Sequence, residues 1–530
     1  MTELAGTGAL LGFVLRTERK SFPVWIAALG LLPALVAGAF QQLYTTPESL
    51  RQAVAAIAAN PSLTAFFGPV FEPSIGGITA WRIGGFGALF TGLFSLMTLL
   101  RHTRAEEESG RRELLGSTAI GRHAPLAAAV TATLAAGLAI GLAAASGLAA
   151  TGQPLRGALA FGASFTMTGW VFTGLAAVAA QVTESARSAR GMGLAVLGVS
   201  FLVRILADAS DPLRWAVWAT PLGWAQRVRP FAVEQWGVVG LAALVAAVLL
   251  TVAARLSAGR DVGAGLLPTR LGPASASPGL ATPWALAWRL QRGVLLAWLA
   301  GFTAFGLVVG GITPGLADLV TGSEQLREIF ERLGGQAAIT DGFLAAVMGF
   351  YALAATGYAI QAVLRLRTEE LELHAEFVLA TATSRWAWVA SHAVFALLGP
   401  VVLMAAAGLA TAVAYGLGAA DLGGQLSRLV GAALVHLPAV WVLAALALGL
   451  FGLRPQLAGL AWAALAASFL MTLLGAILQL GQWLVDLSPY SHVPRLPGGR
   501  LTAAPLLWLL LVGGILAGVG LRGAQRRDIG

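Results

Sequence analysis

Cysteine is absent from the 530 residues, which excludes a disulfide framework and thiolate metal sites. Charge is scarce too: Asp, Glu, Lys and Arg make up 11% of the chain, against roughly a quarter in a soluble domain. Lysine occurs once, at Lys20, with no glycine before it, so no G-x4-G-K-[ST] loop is present to cradle nucleotide phosphates. Carboxylates are missing from the interior of the long apolar runs, with Asp208 and Asp341 only at run ends. That removes the intramembrane acid relay on which proton-driven carriers usually depend. Histidine is thin and scattered (102, 123, 374, 392, 436, 492), without H-E-x-x-H or a carboxylate at ligand spacing. "GVGLRG" (518–523) fits G-x-G-x-x-G by its letters but closes an apolar run and follows no strand, so it reads as chance. No catalytic site and no metal site are expected.

What is present is apolar. Such residues form 57% of the sequence and the mean hydropathy is +0.77. About 20 apolar residues cross a bilayer, and twelve runs qualify: 22–42, 78–100, 124–150, 157–182, 191–208, 236–255, 293–313, 342–364, 389–415, 429–452, 456–478 and 503–521. The fold class is therefore an all-α polytopic membrane protein. Arg and Lys crowd the loops on one side, which places both termini in the cytoplasm, and Arg-rich, Lys-poor usage with abundant Ala and Gly suggests a bacterial plasma membrane. The net charge of +9 reads as this bias toward anionic lipid, not as nucleic-acid binding. Arg82 and Arg204 are the only charges inside runs, near their outer ends, where snorkelling or pairing of Arg204 with Asp208 would accommodate them. Arg16, Arg19 and Lys20 before a run ending Ala37-Gly38-Ala39 mimic a signal peptide. The same pattern recurs inside the chain, where no signal peptide acts.

Three blocks repeat in order. "RTERKSFPVWIAALGLLPALVAG" (16–38) aligns with "RLQRGVLLAWLAGFTAFGLVVGG" (289–311). "RAEEESGRRELLGSTAIGR" (104–122) aligns with "RTEELELHAEFVLATATSR" (367–385), pairing Arg104 with Arg367, Glu106 with Glu369, Glu107 with Glu370, Glu113 with Glu376 and Arg122 with Arg385. "SFLVRILADASDPLRWAVWATPLGWAQR" (200–227) aligns with "SFLMTLLGAILQLGQWLVDLSPYSHVPR" (468–495), matching Trp215 with Trp483 and Pro221 with Pro489. The chain is six spans duplicated: 1–258 and 284–530, joined by a Gly/Pro/Ser-rich linker at 259–283. An even number of spans per half makes the repeats parallel. Thr282 before Pro283 is an N-cap pattern, read as opening a short interfacial helix before span seven, with a counterpart around Leu10 to Arg19. Helix starts are also read in the external loops at Thr46-Pro47 and Ser323-Glu324.

The duplicated charged block follows the second span of each half. Early glutamates and late arginines suit the helix dipole, and Glu107 to Arg111 and Glu108 to Arg112 have i,i+4 spacing. One polar helix is expected. A purely topological loop needs only basic residues, whereas acidic positions and an apolar pair (Leu114-Leu115, Phe377-Val378) are kept in both copies. The pattern points to a surface for a cytoplasmic partner.

At these residues, and at "TPLGWAQRVRPF" and "SPYSHVPRLP", the chain resembles the membrane subunit of type 2 ABC exporters, closest to the tetronasin-like actinobacterial exporters of polyketide antibiotics. The resemblance implies two fused six-helix exporter halves and alternating access. It further implies ATPase-coupling positions at Arg104, Glu106, Glu107, Glu113 and Arg122, and at Arg367, Glu369, Glu370, Glu376 and Arg385. Its partners would be two copies of an ABC ATP-binding subunit that carry Mg-ATP, since this chain holds no cofactor and no ATPase site of its own. The second copy has His374 and Ala375 for Arg111 and Arg112, so the two docking sites need not be equivalent.

Few polar groups line the spans, so a hydrophobic or amphipathic small molecule entering from the bilayer is the expected substrate. Phe86, Phe90 and Phe94 recur every four residues on span two, with Phe343, Phe350 and Tyr351 on its counterpart; such a stripe serves either helix packing or a pathway. In similar exporters the second and fifth spans surround the cavity, which adds Phe201 and Phe469. Trp215 and Pro221, with Trp483 and Pro489, resemble the family's re-entrant outer gate. An ion-gradient-driven carrier of twelve spans remains the alternative.

Overall fold

The computed structural model describes residues 3–58, 61–116, 118–261, 263–267, 274–275, 280, 282–314, 335–475 and 481–528. It is all helical, with no strand among the described residues beyond an isolated bridge between Thr183 and Leu267. Among the described residues twelve helices are long and apolar enough to cross a membrane. By its contacts the chain divides into two compact units, Met1–Gly272 and Pro273–Gly530.

In the first unit α1 (Thr7–Thr17) precedes the first span, α2 (Ser21–Leu43). Two short helices, α3 (Pro47–Ala58) and α4 (Pro61–Phe67), lead to the second span, α5 (Ile75–His102). After it come α6 (Arg104–Glu108) and α7 (Arg111–Gly116), then spans α8 (Ala124–Ala150), α9 (Leu155–Val182) and α10 (Ala186–Ala209). A 3-10 segment (Asp211–Ala219) and α11 (Pro221–Arg227) connect to the sixth span, α12 (Trp236–Gly259). Hydroxyl caps set several starts: Thr46 accepts from Ser49 N before α3, Ser74 from Gly77 N before α5, and Ser185 from Ser188 N before α10.

The second unit repeats the plan with α13 (Pro283–Ile312), α14 (Gly335–Leu371), α15 (His374–Leu379), α16 (Arg385–Gly418), α17 (Leu422–Leu434), α18 (Leu437–Leu453), α19 (Leu460–Leu474), α20 (Gln482–Val485) and α21 (Ala503–Arg526). The pairings recur: α8 packs on α2 and α9 as α16 packs on α13 and α17, and α9 packs on α12 as α18 packs on α21.

Leucines such as Leu31, Leu142, Leu244, Leu398 and Leu511 are more than half exposed along these helices, a surface for lipid rather than water. Between helices, contact is made through small residues. A Cβ on Gly162 would lie 2.2 Å from the Gly141 oxygen, and one on Gly452 would lie 2.0 Å from that of Gly520. Backbones this close are how helices gain packing where hydrophobic burial no longer drives association.

Three expectations are corrected. The stretch after Thr282 is not a separate interfacial helix: Thr282 caps α13, accepting from Ala285 N at 3.2 Å, and the helix runs unbroken through the span. In the first unit the chain does turn, and the Glu18 carboxylate reaches Arg101 (3.1 Å) and His102 (2.7 Å), whereas Gln291, at the equivalent place, meets His392 from within the helix. The tenth span is broken between α17 and α18, because Pro438 lacks the N–H that a continuing helix would give to the Leu434 carbonyl. Arg204 does not snorkel: it is buried, donates to the Phe66 carbonyl at 2.6 Å and faces Asp208 at 3.5 Å. The expected helix start at Ser323-Glu324 and, within the 259–283 linker, residues 262, 268–273, 276–279 and 281 lie outside the described residues.

Candidate functional site

The charged block is an elbow, not one helix. After α5 the chain bends at Thr103, forms the single turn of α6, reverses hand at Gly110 (φ 73°) and resumes as α7. Leu373 occupies the equivalent place in the second unit with φ 59°, between the end of α14 and α15. The bonds agree position by position. Ser109 N donates to Ala105 O and Gly110 N to Glu107 O; Glu372 N donates to Thr368 O and Leu373 N to Glu370 O. The break displaces the charges, so the expected i,i+4 pairs do not form. Arg112 meets Glu107, while Arg111 lies 3.9 Å from Glu106.

Glu107 is the centre of the first elbow. Its side chain is 1% exposed and meets Arg104, Arg112 and Arg260, the last through one guanidinium nitrogen at 2.8 and 2.9 Å from its two oxygens. Arg104 also donates to the carbonyls of Gly263 and Ala264 at 3.2 and 2.9 Å. Arg260 reaches Gln181 of α9 at 2.6 Å. Burial, and then the neighbouring Arg260, Arg104 and Arg122 guanidinia, pull Arg112 down to about 10. Arg112 stays protonated at neutral pH, and Glu107 lies at the centre of a cationic cluster that Glu184 and Glu108 also help to balance at Arg104. Arg122 donates to the main-chain oxygen of Arg260 at 2.9 Å.

The second elbow repeats this with fewer groups. Glu370 accepts from Arg527, and Arg385 donates to the oxygens of Arg527 and Gln525 at 2.9 and 3.2 Å. Glu369 is buried against Arg365, with His374 3.8 Å away. Ala375, in place of Arg112, is buried. Arg367 is half-buried at the start of the turn.

Of the ten coupling positions expected from the sequence, the acids Glu113 and Glu376 and the base Arg122 are exposed to solvent. Phe377 beside Glu376 is 76% exposed, while Val378 leans on the core. Glu107 and Glu370 turn inward to arginines of their own unit, while Arg122 and Arg385 reach main-chain oxygens of that unit from its surface. The sequence reading missed Arg260 and Arg527. The one available signal was that each comes five or six residues after the last apolar run of its half.

The structure joins the second and fifth spans of each unit through matching aromatic pairs. Phe86 and Phe201 stand 6.3 Å apart, Phe350 and Phe469 6.2 Å apart, and all four are half-buried. Phe94 is instead enclosed between Phe22 and Trp25, and Tyr351 between Phe302 and Phe305, with its hydroxyl 3.0 Å from Thr411. Phe90 and Phe343 are half-buried on the same helices. Of the residues expected at an outer gate, Trp215 and Trp483 are 69% and 71% exposed. Pro221 opens α11 behind a Thr220 cap, and Pro489 is buried at the start of a 3-10 turn (Pro489–His492). No cluster of three or more metal-ligating side chains occurs among the described residues.

Residues 8–256 and 280–524 match the family described as multidrug efflux system permease Rv1217c, C-terminal domain. The chain is also 42% identical over 525 residues to the multidrug efflux system permease protein Rv1217c of Mycobacterium tuberculosis, covering 99% of this chain and 95% of that protein.

Proposed function

The chain belongs to the Rv1217c family of multidrug efflux system permeases, and from that premise we propose that it is the permease subunit of an ATP-driven exporter. The elbows bear on two ATP-binding subunits that carry Mg-ATP, and export proceeds by alternating access with both termini cytoplasmic. The observation that supports this most is the duplicated elbow. Two copies of one backbone bend, 263 positions apart, each leave an exposed glutamate, Glu113 and Glu376, at the end of the second span. Lipid gives no reason to keep a solvent-facing acid on a rigid turn twice over, whereas a pair of external motors does.

Cargo is hydrophobic or amphipathic, of the kind exemplified by polyketide antibiotics. The half-buried pairs Phe86/Phe201 and Phe350/Phe469 line its route, and the segments around Pro221 and Pro489 form the outer gate. The permease performs no chemistry itself: it turns nucleotide-driven displacement into reorientation of helices.

Proteoliposomes holding the permease with its ATP-binding subunit are the test. Drug movement that needs Mg-ATP and stops when the subunit is left out supports the proposal. Movement by the permease alone, driven by an ion gradient, sinks it in favour of a secondary carrier. Within the working complex, Glu113→Ala combined with Glu376→Ala is expected to leave insertion normal and to cut ATP-dependent export; undiminished export by that double variant counts against docking at the elbows.

A further inference from the structure

Glu107 and Glu370 are equivalent by the sequence repeat, and each binds the arginine that closes the sixth helix of its own unit, Arg260 after α12 and Arg527 after α21. Arg122 and Arg385 are equivalent as well, and each donates to the main-chain oxygen of that same closing arginine. The aligned blocks contain neither Arg260 nor Arg527. The repeated contact is therefore a second, independent duplication, visible only in three dimensions.

We propose that these contacts are clasps that make each elbow and the end of its sixth helix one mechanical part, so that displacement of the elbow is delivered to α12 in the first unit and to α21 in the second. This rests on the reading that ATP-binding subunits bear on the elbows. Along the chain the elbow follows the second span across an interruption of the helix at Thr103 in the first unit, and continues directly from α14 in the second. The clasp adds a separate attachment, to the sixth helix, through charge-assisted bonds and a main-chain oxygen. In the first unit it extends to α9, since Arg260 also holds Gln181. The helices so engaged are the least enclosed spans of their units, yet each stays packed along one neighbour, α12 on α9 and α21 on α18. A displacement delivered to either is therefore passed on to that neighbour.

Glu370 and Arg527 give the cleaner test, because Glu107 has three guanidinia around it. In proteoliposomes with the ATP-binding subunit, Glu370→Arg alone and Arg527→Glu alone are expected to keep ATP hydrolysis and lose about tenfold in export, the size of a typical coupling. Glu370→Arg with Arg527→Glu together restores most of it. Thermal unfolding of all three variants separates this from collapse of the fold. Wild-type export by either single variant, or a double variant no better than the singles, overturns the proposal.

The absence of cysteine makes a second measurement direct. Spin labels on Ser109→Cys and Asp261→Cys, both exposed and outside the clasp, should report one unchanged distance with and without nucleotide and drug. A distance that shifts between states overturns the clasp. Should the permease move drug with no ATP-binding subunit, the ATP-driven reading fails, and the same label pair, followed during that transport, still decides whether the clasp stays shut.

Discussion

Three consecutive glutamates, 106 to 108, meet three different fates within one turn. Glu106 is half-buried near Arg111, Glu107 is enclosed by three guanidinia, and Glu108 faces outward, accepting from Ala186 N at 3.2 Å. Glu107→Ala is expected to cost about 3–5 kcal/mol, because it leaves buried arginines without their counter-charge. Glu113→Ala, at an exposed position, should stay within about 0.5 kcal/mol. Unfolding of detergent-solubilised variants compares the two, and equal midpoints would show that Glu107 is not what holds the cluster. The sequence marked these acids as special through their duplication, but not which of them turns inward. That choice depends on Arg260, some 150 positions further along the chain, and no local pattern encodes so distant a partner. The aromatic stripe divides for the same reason: four-residue spacing put Phe86, Phe90 and Phe94 on one face, yet neighbouring helices decide that Phe94 is packed between Phe22 and Trp25.

Among the elements, spans were the most legible part, since length and apolarity alone mark them; α8 fills the same residues, 124–150, that the sequence predicts. Breaks were less so. Pro438 was visible inside the tenth run, but Pro33 and Pro400 sit within unbroken helices. Whether a proline divides a span depends on what neighbours supply to the released carbonyl. The elbow's left-handed residue differs between copies, Gly110 against Leu373, and a left-handed leucine costs roughly 1–2 kcal/mol. Nothing lies within 4 Å of a Cβ at Gly110. Gly110→Leu, which copies the second unit's residue, should therefore lower stability by about that backbone cost with no added clash, readable as a shift in unfolding midpoint. The interhelical glycines make the opposite case. Gly452→Val drives a side chain into the backbone of α21 and is expected to cost about 1–3 kcal/mol or more. A Cβ on Gly518 of α21 has nothing within 4 Å, and Gly518→Val should be tolerated. Equal losses for both would show that close approach of the backbones is not what matters there.

Over the whole molecule the two units share a plan and differ in how firmly each elbow is held. The Glu107 side chain is 1% exposed under three arginines, whereas Glu370 is 13% exposed and bound by Arg527. Glu370→Gln should accordingly destabilise less than Glu107→Gln, and the first elbow should exchange its amide hydrogens more slowly than the second. Hydrogen exchange resolved by mass spectrometry compares them, and equal rates would remove the asymmetry. The division into Met1–Gly272 and Pro273–Gly530 falls within the segment that composition marked as a joint.

Arg527 also bears on handling of the protein. A protease cut or early stop just after Arg526 would spare the whole twelfth span, and the product would enter the bilayer and pass any check of length or topology. It would nonetheless lack both the side chain that Glu370 grips and an oxygen that Arg385 uses. Such a shortened permease should be inserted and folded yet export about tenfold less, so a preparation that loses activity on storage is best examined first for the integrity of its last few residues.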